Sequence, residues 1–386
     1  MPELSPKLSD LVQAPTDRRA FLARASVLGV TIPAVGAALA GCTAQTAEEQ
    51  GTTGKAGQDT TRPGANADAR AAGIPPNADS KLDTVHGRPA HGTSSATPSA
   101  TAGAQTVSYH RYDPTLPPLS ANRTLRLHWR AREAPVAIRP DTVVAAWTFE
   151  GDVPGPIVHC RVGDTVEFTL TNEGSVPHSM DFHAAQVDPK VAFRSVARGE
   201  SVSYTFRPRF AGAFMYHCGT APVLMHIGSG MFGALIVDPP TPLPAAKEFV
   251  LVQSEFYLEE PQAGVRPFDY SKMLATMPDF VAFNGRPSQY VNEPIHVRRG
   301  DRVRFYVVDA GPTHPCAFHV VGEQFDRVYL GEPPEHAIRG VQTFNVPAGG
   351  GMIFELTADV PGEFPFVNHG FGHGQKGSIG FLVVEP

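Results

Sequence analysis

From residue 122 onward, apolar and polar positions alternate with a period of two. The run "TVEFTLT" sets Val166, Phe168 and Leu170 on one face and Thr165, Glu167 and Thr169 on the other. "RVRFYVV" does the same with Val303, Phe305 and Val307, and "TLRLHWR" and "SVSYTF" follow suit. Neighbours on a strand point to opposite faces, so each run predicts a strand with one buried side. Gly-Asp and Pro-Gly pairs interrupt the runs at short intervals, as the turns of an all-β sandwich or barrel do. Only "SKMLAT" predicts a short helix.

The pattern occurs twice. "VHCRVGDTVEFTL" from Val158 matches "IHVRRGDRVRFYV" from Ile295, and "HSMDFH" from His178 matches "HPCAFH" from His314. "GAFMYHC" matches "GEFPFVN", and "GALIVDP" matches "GFLVVEP". Two tandem Greek-key β-sandwiches or barrels are therefore expected at 120–240 and 246–386. In this alignment His314 falls on His178, and Asn368 takes the place of Cys218.

The segment before the first repeat is of another kind. Residues 1–42 read as an export signal, with Arg18-Arg19 pointing to the twin-arginine route and an apolar run too short to span a bilayer. The run closes on "LAGC", a lipoprotein-type ending that would make Cys42 the lipidated first residue of an exported, envelope-anchored protein. Residues 43–110 are expected to be a disordered tether, since 43–106 contain no Phe, Trp or Tyr. The net charge of −6, with scattered Lys and Arg, gives no footing for nucleic acid. Cys160, Cys218 and Cys316 remain, and three cannot all pair, so at least one is free.

The candidate chemistry lies in "MYHCGTAPVLMHIGSGM", residues 215–231. With His178 it supplies Cys218, His226 and Met231: two imidazoles, a thiolate and a thioether, the donor set of a blue-copper electron-transfer site. A packed core with a buried thiol would have to explain four such donors at once. Met225 is the rival thioether, placed awkwardly beside His226. Alternation then predicts a second cluster. If Cys218 points inward, His217 points outward. His183 lies an odd five residues from His178, so it takes the outward face with Asp181. Two histidines are an incomplete shell for a catalytic metal. The second repeat offers His314, His319, His369 and His373, of which His369 sits one past the vacant Cys position.

"VPHSMDFHAA", "YHCGTAPVLMHIGSGM", "AFHVVGEQFDRVY", "VPAGG" and "FVNH" together resemble the copper-containing, nitric-oxide-forming nitrite reductases, across roughly 120–386. The eight-residue step from Cys218 to His226 is similar to that of the lipid-anchored members. The resemblance implies two cupredoxin-like domains per chain, a homotrimer, and type 1 and type 2 copper, two per chain. Type 1 copper would sit on His178, Cys218, His226 and Met231. Type 2 copper would sit on His183 and His217 of one chain and His369 of its neighbour, with Asp181 and His319 as catalytic proton carriers. A cupredoxin or c-type cytochrome would donate electrons, and nitrite would be the substrate. The chain departs from the family at "QVDPKVAF", where a Gly-rich stretch is usual, at Val321, where a bulkier aliphatic is common, and at the additional His373. His314 and Cys316 are expected to be remnants or packing.

Two other functions compete. A laccase-like two-domain oxidase with a trinuclear cluster would need His-x-His pairs, and none of the 15 histidines has another two positions away. A simple copper electron carrier would need the first cluster alone, leaving Asp181, His183, His217, His319 and His369 superfluous.

Overall fold

The computed structural model describes residues 107–330 and 337–386. Arg18, Arg19, Cys42, the tether through residue 106 and His336 lie outside the described residues. Among the described residues, no helix is long and apolar enough to cross a membrane.

Strands dominate, and they form two sandwiches of the same design. In the first, one sheet runs in the order Val265–Arg266, Thr142–Phe149, Thr124–Arg139, Thr165–Asn172, Ser201–Phe206, its outermost strand lent from beyond residue 246. The facing sheet runs Val158–Arg161, Phe232–Asp238, Gly212–His217, Asp181–Phe182. The second sandwich repeats both. Its sheets run Phe280–Phe283, Lys247–Phe256, Arg302–Gly311, Gly351–Thr357, Arg327–Tyr329, and Ile295–Arg298, Ile379–Glu385, Gly362–Asn368, Cys316–Val320, Thr343–Val346. Parallel neighbours recur at matching places: Thr124–Arg139 beside Thr165–Asn172, and Lys247–Phe256 beside Arg302–Gly311. Parallel pairs cannot be joined by a hairpin, so the chain crosses to the other sheet between them, which closes each sandwich.

The period-two faces explain the cores. Thr165–Asn172 alternates strictly, with Val166, Phe168 and Leu170 buried against Trp129, Phe182 and Tyr216. Arg302–Gly311 differs from expectation, because Arg304 and Tyr306 are buried as well as Val303, Phe305 and Val307. The reason is a third core between the sandwiches. Tyr306 and Val308 pack there with Val250, Val252 and Ile353 against Val136, Ala213, Met215 and Ile236 of the first sandwich. Arg304 is neutralised by Glu355 and Glu248, each at 2.6 Å.

"SKMLAT" forms the helix Tyr270–Leu274, capped by Asp269 accepting from the Lys272 amide. Among the described residues, four further short helices, Pro189–Ala192, Val223–Gly228, Gln289–Asn292 and Phe371–Gly374, were not expected from periodicity. Val223–Gly228 carries His226 and begins after Pro222.

The repeat is two residues out of register from the alignment of "HSMDFH" with "HPCAFH". The Ser179 amide donates to Cys218 Sγ at 3.3 Å, and its structural counterpart is the Ala317 amide, donating to Asn368 Oδ1 at 3.2 Å. His178 bridges Val196 as Cys316 pairs with Val346. Cys316, not His314, therefore stands at the His178 position, and His319 stands at that of Asp181. The cause is one inserted residue. The Gly174 amide donates to Asn172 Oδ1 and the Gly311 amide to Asp309 Oδ1, but the next capping bonds are Ser175 to Glu133 and Thr313 to Glu255.

Candidate metal centres

His178, Cys218 and His226 converge inside the first sandwich, all buried. His178 arrives just before the strand Asp181–Phe182, Cys218 follows the strand Gly212–His217, and His226 comes from the helix between that strand and Phe232–Asp238. Their Nδ1 atoms face each other at 3.2 Å, and Cys218 Sγ lies 3.2 Å from His226 Nδ1 and 4.0 Å from His178 Nδ1. Ligands around one tetrahedral or trigonal transition metal lie roughly 3–4 Å apart, given metal–nitrogen and metal–sulfur bonds of about 2.0 and 2.3 Å. Burial pulls both imidazoles down to about 4, with the charge of His226 adding to the effect on His178. Both rings are therefore neutral donors at neutral pH. The Trp147 ring packs edge-on against both. Met231 is fully buried in the same core, its amide bonded to the His226 carbonyl at 3.2 Å. Met225 is only partly buried and packs towards the core between the sandwiches.

Asp181, His183 and His217 form a second, less buried group at the paired strands Asp181–Phe182 and Gly212–His217. Asp181 pairs directly with His217 in the sheet register. His183 Nε2 and His217 Nε2 face each other at 3.0 Å. Each Nδ1 lies 2.9 Å from a backbone carbonyl, that of Gly349 for His183 and of Cys218 for His217. A nitrogen facing a carbonyl carries the proton, so when both rings are neutral two bare lone pairs confront one another. A cation between them removes that repulsion, and the carbonyls are the outer partners that orient ligating imidazoles. An Asp181 carboxylate oxygen lies 4.0 Å from His217 Nε2.

His369 is not drawn into that group within one chain. It is exposed on the second sandwich, its ring centroid 5.3 Å from that of His319 and 4.7 Å from that of Phe371. His319 Nδ1 donates to the Gln342 carbonyl at 2.6 Å, so its Nε2 is the nitrogen left for other work. Cys160, Cys218 and Cys316 are all free and buried, which leaves no disulfide among the described residues. Burial pushes the Cys160 thiol up to about 12, an inert core position.

Sequence reasoning missed the groups that act through the backbone: the Ser179 amide on the sulfur and the Gly349 carbonyl on His183. "VPAGG" holds Gly349 at φ +79, a left-handed conformation that favours glycine, and this was the available signal for the second.

The multicopper oxidase family pattern matches residues 131–242, the first sandwich. A copper-containing nitrite reductase of Neisseria meningitidis serogroup A is 41% identical over 247 residues, 62% of this chain and 64% of that protein. The chain thus spans just under two thirds of the length of that relative. One from Cereibacter sphaeroides is 30% identical, covering 66% of this chain and 75% of its own. The solved copper nitrite reductase from Nitrosomonas europaea superposes with a TM-score of 0.63 at 37% identity, over 68% of this chain and 94% of that one.

Proposed function

Because the chain belongs to the copper-containing nitrite reductase family, with cupredoxin-like sandwiches in tandem, we propose that it reduces nitrite to nitric oxide. The observation that carries this is the pair of clusters joined by the single peptide between His217, the last residue of the strand Gly212–His217, and Cys218.

Copper would supply one-electron chemistry at His178, Cys218, His226 and Met231, and an open coordination position at His183 and His217. Cys218 and His217 connect the two sites covalently, and the His217 Nδ1 bond to the Cys218 carbonyl closes a second short link. The reaction consumes one electron and two protons per nitrite and leaves nitric oxide and water. Asp181, with a carboxylate oxygen 4.0 Å from His217 Nε2, is one proton source. His319 is the other. Since its ring accompanies that of His369, whichever subunit lends His369 to the site lends His319 with it. In this reading the chain forms a homotrimer in which each second copper lies between subunits. A small cupredoxin or c-type cytochrome is the donor in this reading.

Residues 1–42 act as a twin-arginine and lipoprotein-type signal in the same reading, with Cys42 the lipid anchor and 43–110 a tether to an envelope surface. The domains 120–240 and 246–386 carry the chemistry.

The test is nitric oxide evolution from nitrite, without oxygen, by copper-loaded protein given a reduced artificial donor, with copper counted on the same sample. Two coppers per chain and nitric oxide are expected. Two coppers with oxygen reduced and nitrite untouched would favour the oxidase, and one copper the electron carrier.

A further inference from the structure

The second sandwich keeps the frame of the buried cluster and fills it differently. Asn368 stands where Cys218 does, its amide bonded to the Ser378 carbonyl at 3.0 Å as that of Cys218 is to Met231 at 3.1 Å. The Ser378 amide donates to the His373 carbonyl at 3.3 Å, as that of Met231 does to His226 at 3.2 Å. The four positions thus hold Cys316, Asn368, His373 and Ser378.

Their centre is occupied by the Asn368 carboxamide, 1% exposed. Its Oδ1 accepts from the Ala317 amide at 3.2 Å and the Gly370 amide at 3.0 Å. Its Nδ2 donates to Gln253 Oε1 at 2.9 Å and the Pro315 carbonyl at 3.2 Å, and approaches His373 Nδ1 at 3.3 Å. One side chain thereby ties the strand Cys316–Val320 to the turn that follows Gly362–Asn368. His319 lies two residues beyond Ala317, and His369 is the next residue after Asn368, its own amide bonded to the Ala317 carbonyl at 2.7 Å.

We propose that Asn368 is a positioning residue, whose carboxamide sets the separation of His319 and His369 before they are presented to the copper site of the next subunit. In the first sandwich a shared metal can clamp the loops on either side of Cys218. In the second, hydrogen bonds from an amide do that work. The proposal rests on the reading of His369 as a ligand of the second copper. Loss of the amide leaves its buried or half-buried partners on Gln253, Ala317 and His373 unmet, releases Pro315 and Gly370, and frees both histidines to drift.

The experiment is copper binding by full-length Asn368→Ala, followed by electron paramagnetic resonance at the second site and by the thiolate–copper band at the first. The apparent Kd of the second copper should rise about 10- to 100-fold, the range for loss of a partner that orients a ligand. The thiolate band should hold its intensity. In metal-free protein, the Gly370 amide should exchange with solvent faster. His373→Phe, which keeps the ring and loses one bond, should move the affinity less and in the same direction. Wild-type affinity in Asn368→Ala overturns the proposal. If that variant loses the thiolate band and is misfolded, His373→Phe decides in its place, with unchanged affinity the overturning result. His369→Ala is run alongside. Should it retain the second copper, the ligand reading itself fails and the proposal with it, whereas loss there beside unchanged Asn368→Ala sinks the positioning role alone.

Discussion

At the scale of single residues, the two clusters differ in what the sequence could disclose. Cys218, His226 and Met231 were legible because side-chain donors of that type, so close together, have few other uses. His183 and Asp181 were legible by counting alternate faces from His178, and the structure does set them opposite the buried group. The Ser179 amide was not legible, since a backbone group carries no residue signature and reaches its partner only through the fold, and for the Gly349 carbonyl the glycine itself was the one hint. Asp181 invites the most direct substitution. Its oxygen is 4.0 Å from His217 Nε2, too far for a direct hydrogen bond and within reach through one water. Asp181→Asn keeps the shape and removes the titratable proton. It is expected to retain both coppers and the thiolate band while turnover falls about 100-fold or more, as loss of a positioned general acid does. Unchanged turnover would remove Asp181 from proton delivery.

Among elements, the strands were read well and the helices poorly, for one reason. A period of two declares itself within five residues. Val223–Gly228 has six, too few for a helical period to emerge, although it delivers His226. The repeat was misaligned because matching letters, a His and "FH" in each copy, outweighed a one-residue insertion that only hydrogen-bond register reveals. The sandwich-to-sandwich contact has its own point of strain. Gly351 opens the strand Gly351–Thr357 against the strand bearing His217, and a Cβ there would lie 2.2 Å from the Ala213 carbonyl oxygen. Backbone cannot retreat as a flexible side chain can. Gly351→Ala is therefore expected to destabilise the protein by about 3 kcal/mol in denaturant melts. A neutral result would mean that the sandwiches can slide apart at little cost.

For the molecule as a whole, the joints matter more than the sandwiches. His159, nearly buried, holds the Pro117 carbonyl of the N-terminal arm at 2.7 Å and Asp238, where the first sandwich ends, at 3.1 Å. Burial opposes its charge, but the bond to Asp238, that carboxylate's charge and the Pro117 carbonyl together outweigh burial and raise the imidazole above 6.5. The folded state binds this proton more tightly than the unfolded chain does. Its contribution is thus fully present below about pH 6.5 and is lost as pH climbs through the raised value. His159→Gln should flatten that part of the stability profile, and an unaltered slope would assign the pH dependence elsewhere. Assembly can be tested by complementation. Chains carrying His183→Ala and chains carrying His369→Ala should each lack the second copper alone. Mixed during refolding, they should regain it at about a quarter of the sites, the fraction at which two intact half-sites meet in a ring of randomly mixed subunits. No recovery would place all the ligands on one chain. The insertion between Gly311 and Pro315 has a consequence at this scale too. A strand shifted by one residue turns every side chain to its opposite face. Cys316, Phe318 and Val320 fill the inward face of the strand Cys316–Val320, so the extra residue is taken up in the loop and His319 stays outward. A difference in length between two otherwise matching halves is thus confined to a turn, and the faces that the strands present are left as their own alternation sets them.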